Sequence, residues 1–87
     1  MTTAQQIELR LAGLKPISLE ILDESGKHVG HEGARDGGGH YQLTIVSSAF
    51  TGASRISRHR MVYDALGDLM QREVHALAIE AFAPDEL

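Results

Sequence analysis

The spacing of apolar positions changes repeatedly along this 87-residue chain, and each change predicts a new element. Residues 2 to about 13 predict an amphipathic helix, because Ala4, Ile7, Leu11 and Leu14 recur at helical spacing behind Thr3, a candidate N-cap. Gly13 weakens its end, and Pro16 disfavours helical geometry at Lys15. Ile17 to Asp23 then alternates, with Ile17, Leu19 and Ile21 on one face and Ser18 and Glu20 on the other, which predicts a half-buried strand. From Glu24 to Gly39 the pattern dissolves into a loop holding six of the nine glycines and two histidines. A loop of this length in so small a protein points to a function.

His40 to Ser47 predicts a second strand, with Tyr41, Leu43 and Ile45 inward and His40, Gln42 and Thr44 outward. The following Ser47 to Ser54 is turn-rich, with room for one helical turn, and Ser54 is placed to cap the next helix. Arg55 to Glu73 predicts the main helix, whose apolar arc takes in Ile56, His59, Val62, Tyr63, Leu66, Leu69 and Met70. Val74 to Phe82 alternates again, with His75, Leu77, Ile79 and Ala81 on one side and Ala76, Ala78, Glu80 and Phe82 on the other. Pro84 ends it. The first two strands can pair antiparallel, while the last, reached through a helical crossover, lies parallel to the second. The expected fold class is α+β, a two-layer sandwich of order αββααβ with helices on one face of a three-stranded mixed sheet and a short C-terminal turn. One domain over residues 1–87 is expected, without internal repeats.

Composition narrows the chemistry. There is no cysteine, which excludes a disulfide scaffold, a thiol nucleophile and a Cys-ligated metal site within this chain. No run has the length of a membrane span and the N-terminus lacks the pattern of a signal peptide, so the cytoplasm is the expected location, with no membrane partner. Eight Lys or Arg against twelve Asp or Glu give a formal charge of −4, the wrong sign for nonspecific nucleic-acid binding unless charge is locally segregated. No enzyme is expected. The serines lack a G-x-S-x-G elbow, Asp23 and Glu24 are adjacent and diverge, and no phosphate loop is present.

Four landmarks occur in order: Asp23-Glu24-Ser25 with His28 shortly after, Phe50-Thr51-Gly52 in the turn, Arg58-His59-Arg60 in the main helix, and His75-Ala76-Leu77 in the last strand. Together they resemble the BolA family over nearly the whole chain. The chain departs from many relatives in Gly39-His40-Tyr41 at the second strand and in a second loop histidine, His31. The resemblance implies a class II KH-like fold and partnership with a monothiol glutaredoxin. It also implies a bridging [2Fe-2S] cluster shared with that partner and glutathione, with none held by the isolated chain, itself expected to be a monomer. It further implies the alternative of a double-stranded DNA-binding regulator of morphology and stress response.

An iron–sulfur cluster accepts imidazoles in place of thiolates on one iron. By resemblance the metal ligands are His75 and a loop histidine, His28 first and His31 second. Read without the resemblance, His75 is a buried histidine at a strand edge, and the loop pair is solvated. His40 is expected to be structural or exposed, and His59, central in its helix arc, to be buried. A zinc site from His28, His31, His40 and His75 has the donor type but lacks the usual mixed ligand set. Arg55, Arg58 and Arg60 concentrate positive charge near one helix start and are the candidate DNA-binding residues, the bland alternative being a solvated flank paired with acids such as Asp64. Gly30-His31-Glu32-Gly33 spells the G-x-x-G string of nucleic-acid-binding KH domains but falls between strands, so RNA binding of that kind is not expected.

Overall fold

The computed structural model describes residues 1–24 and 39–87. The first helix, α1, runs from Thr3 to Leu11. Its cap is Thr2 rather than Thr3: the Thr2 hydroxyl accepts from the Gln5 N–H and the Gln5 side chain accepts from the Thr2 N–H, a reciprocal capping box. A 3₁₀ turn over Ala12–Leu14 follows, and Lys15, at φ 51°, turns the chain into the sheet.

Strand β1 (Ser18–Asp23) pairs antiparallel with β2 (Gly39–Val46), which pairs parallel with β3 (Val74–Phe82), giving the order β1-β2-β3. Leu19, Ile21, Tyr41, Leu43, Ile45, Leu77, Ile79 and Ala81 face the helices, while Glu20, Leu22, Ala76, Ala78 and Glu80 are exposed on the other face. Ile17, expected to join the inward set, is 68% exposed at the start of β1. The core joins these strands to Ile7 and Leu11 of α1, to Phe50 in a 3₁₀ turn over Ser48–Phe50, and to Val62, Leu66 and Leu69. Ser47, the one buried polar residue among those described, donates its hydroxyl to the Leu14 carbonyl at 2.6 Å and accepts from the Ala49 N–H. Its polarity is therefore satisfied where the turn meets the first helical segment.

The main helix is not continuous. It forms α2 (Arg55–Leu66) and a single turn, α3 (Leu69–Arg72), broken at Gly67. Gly67 has φ 55° and ψ −129°, a conformation natural only to glycine, and its N–H closes the helix on the Tyr63 carbonyl. Ser54 caps α2 through the Ser57 N–H, as its sequence position suggests. The buried stripe is rotated from the expected arc. Val62 and Leu66 are fully buried with Met61 and Ala65 beside them, whereas Ile56 is 69% and Tyr63 41% exposed. The expected αββααβ order, mixed sheet and one-sided helical layer, the class II KH-like arrangement, are all present.

Candidate functional site: an imidazole pair on the sheet rim

Three strand ends meet at one rim. β1 ends there because it runs antiparallel to β2; β2 and β3 both begin there because they run parallel. The chain leaves β1 at Glu24 and re-enters the sheet at Gly39. The Glu24 N–H donates to the His40 carbonyl at 2.8 Å, and the Gly39 N–H donates to the Glu73 carbonyl at 3.0 Å. Both anchors of residues 25–38 thus lie on this rim. The Glu73 carboxylate in turn accepts from Thr3 Oγ1 and Gln6 Nε2, tying α1 to the start of β3.

A bulge decides which way the rim's histidines face. Gly39 pairs with Val74, but the next pair is His40 with Ala76, so His75 is an extra residue with no partner on β2. Val74 stays buried, His75 and Ala76 are both exposed, and alternation resumes at Leu77. The expected inward orientation of His75, with Leu77 and Ile79, is therefore corrected: the extra residue turns its imidazole to the open face of the sheet. Gly39 is held to glycine by packing, because a Cβ there would overlap the Tyr41 ring.

His75 thereby comes beside His40. Their ring centroids are 5.2 Å apart, with the planes tilted by 33°. His40 occupies the outward face of β2, as its alternation implies, and is half-buried. Its sequence position suggests a structural or exposed histidine, outside the His75 and loop-histidine ligand set and grouped with them only in the zinc alternative. The signal for the pairing was present, since parallel strands starting at Gly39 and Val74 share a rim and a glycine at a strand start often marks a bulge. His28 and His31 lie outside the described residues, as does the Gly30-His31-Glu32-Gly33 string. Among the described residues, no group of three or more His, Asp or Glu side chains is placed to hold a metal ion.

The arginines do not act as one patch. Arg55 and Arg60 are exposed, but at roughly 100° per residue they point about 140° apart around α2. Arg58 is engaged. Its Nη1 and Nη2 donate to Glu86 Oε1 and Oε2 at 2.5 and 2.8 Å, Nη1 also donates to the Ala81 carbonyl at 3.1 Å, and Nε donates to the Ala53 carbonyl at 2.9 Å. This bidentate clasp fastens the 3₁₀ turn Pro84–Glu86 across the start of α2. Together with the Ala83 N–H, Arg58 holds the Glu86 carboxyl down at about 2. His59, expected in the core, is half-buried on the wall of a groove with Arg55 and Phe82, because the burial stripe runs on the Arg58 side of the helix.

A family model for BolA-like proteins matches residues 11–86. The DNA-binding transcriptional regulator BolA of Escherichia coli (strain K12) is 36% identical over 87 residues, covering 99% of this chain and 80% of that protein. The BolA domain of SufE1 from Arabidopsis thaliana superposes with a TM-score of 0.85 at 40% identity, covering 100% of this chain and 98% of that one. BolA1 from Arabidopsis thaliana superposes at 0.83 with 32% identity, covering 100% and 98% respectively. Topology and sequence together define an α+β protein of the class II KH-like kind. The chain belongs to the BolA-like family.

Proposed function

We propose that this chain is a non-enzymatic cytoplasmic adaptor that shares a [2Fe-2S] cluster with a monothiol glutaredoxin and glutathione, in iron–sulfur trafficking or iron sensing. The observation that carries this reading is the exposed imidazole of His75 at the rim where residues 25–38 are anchored. The donor set suits such a cargo. The chain has no thiolate to offer, and two neutral imidazoles suffice for one iron when thiolates from other molecules hold the second. His75 supplies one nitrogen from a strand, and His28 or His31 supplies the other. Glu73, Gly39 and the bulge do the positioning, by fixing the backbone that aims His75 outward.

Anaerobic mixing of the chain with a monothiol glutaredoxin, iron, sulfide and glutathione should give a visible-region spectrum distinct from that of the glutaredoxin homodimer. His75→Ala should abolish the distinction. A variant spectrum identical to that of the unmodified pair would remove His75 from the site.

The name of the Escherichia coli relative favours a second reading, a DNA-binding transcriptional regulator. On this chain the free positive charge on α2 belongs to Arg55 and Arg60, and the phosphate contacts would be theirs. Binding to a duplex should then weaken steeply with salt and with Arg60→Ala; absence of binding at low salt would end this reading.

A further inference from the structure

We propose that the outer edge of β3, with the flank of α2 beside it, is a docking site for an extended acidic peptide that adds to the sheet as a fourth strand. The inference goes beyond the adaptor reading and concerns a different place, because the groove that marks it lies at the end of β3 and His75 at its start. Six residues of strand, roughly 20 Å, separate His75 from Ala81.

The backbone carries it. Among the described residues, β3 is an edge strand, bonded to β2 on one side only. The Phe82 carbonyl accepts from the Ser47 N–H at the end of β2, so Phe82, Glu80 and Ala78 turn their main-chain groups inward. Alternation then turns those of Leu77, Ile79 and Ala81 to the outer edge. The Ala81 carbonyl confirms the phase, since it accepts from Arg58 Nη1 at 3.1 Å across that edge. Arg58 and the Pro84–Glu86 turn thus close the edge at its far end. Before that stop, the Leu77 and Ile79 groups and the Ala81 N–H have no backbone partner among the described residues. A row of unpaired N–H and C=O groups is a template for an added strand.

The side chains give the row a wall. A groove of about 570 Å³ runs along Ile79–Phe82 and is bounded on α2 by Arg55 and His59. Ile56, His59 and Tyr63 fall within about 60° of one another around the helix, so the two exposed apolar residues share the flank of the groove-lining imidazole. Ile56 is 69% and Tyr63 41% exposed. This is the apolar stripe that the sequence places in the core, and the fold leaves it uncovered beside an open strand edge.

Charge selects the occupant. Arg58 is closed on Glu86, which leaves Arg55 as the unengaged cation among the described residues lining the groove. A strand laid here needs an acid opposite Arg55 and apolar residues against Ile56 and Tyr63. A second copy of the chain does not supply that acid: the helix-side faces of its edge strands are Leu19 and Ile21 on β1, and Leu77, Ile79 and Ala81 on β3. A nucleic-acid strand would bring a run of phosphates to one free cation on a chain of formal charge −4.

The test pans random linear peptides displayed on phage against the untagged 87-residue chain, and the enriched peptide is synthesised as the probe. It should carry Asp or Glu beside apolar residues and bind saturably. Amide exchange at Leu77, Ile79 and Ala81 should slow by about tenfold or more, while Ala78 and Glu80, already bonded to β2, stay as they were. N-methylation at alternate positions of the peptide should abolish binding in one phase and spare it in the other. Arg55→Glu should weaken binding more than about tenfold, Ile56→Ala and Tyr63→Ala should weaken it too, and His75→Ala and Leu9→Ala should leave it unchanged. Failure to enrich any peptide overturns the proposal, as does binding indifferent to both N-methylation phases. Protection of the same amides by an oligothymidine strand instead of the peptide assigns the edge to nucleic acid, and their protection on raising the chain concentration alone assigns it to a second copy; either result rejects the acidic peptide.

Discussion

At the scale of single residues, Arg58 shows how a side chain legible as a surface charge can be structural. Its side chain is only 11% exposed, with the guanidinium closed on Glu86 and two carbonyls. No local pattern foretells this, because the partner lies 28 residues away in what reads as an acidic tail. The clasp has a pH signature. Glu86 is held at about 2 in the folded chain against an ordinary value of 4.5, so the unfolded chain takes up its proton first as the pH falls. The stabilisation is complete above pH 4.5 and is lost progressively towards pH 2. Glu86→Gln should therefore lower the denaturation midpoint at neutral pH, and the gap from the unmodified chain should close across that acid window. An equal gap at every pH would show that the carboxylate charge is not what fastens the C-terminal turn.

At the scale of elements, periodicity located all three strands to within a residue, since each buries one face and alternation reports that directly. It failed where one residue changed the phase. The helix arc drawn through Ile56, His59 and Tyr63 assumed an unbroken helix to Glu73; the break at Gly67 lets α2 rotate its Val62–Leu66 stripe inward while α3 buries Leu69 independently. The bulge likewise moved His75 from the inward to the outward set. Both shifts sit at glycines whose demands become visible only in three dimensions. At Gly67 two terms add up: the backbone conformation is costly for any other residue, and a Cβ would come within 3.2 Å of Arg10 Nη1. That guanidinium donates to the Leu66 carbonyl at 2.9 Å and to Asp68 at 3.1 Å, joining α1 to the α2–α3 corner. Gly67→Ala should cost about 1–3 kcal/mol in chemical denaturation. A change near zero would mean that the corner relaxes without using this conformation.

At the scale of the whole molecule, the fold does one thing for the site: it brings the starts of two parallel strands and the end of an antiparallel one to a single rim, with helices confined to the other face. The open face therefore meets solvent with its two strand imidazoles side by side, and the ends of the described chain on either side of His28 and His31, Glu24 and Gly39, are bonded at the same rim. The family resemblance made His75 and the loop histidines legible as candidates; the register irregularity that pairs His75 with His40 was beyond any pattern of period two. The most direct test of the central claim is nitrogen hyperfine spectroscopy on the reduced cluster, assembled with glutaredoxin from chain labelled with ¹⁵N-histidine. The account predicts ¹⁵N couplings from histidine of this chain, with one lost in His75→Ala. A reduced cluster shared between the two proteins that carries no histidine nitrogen from this chain would contradict it.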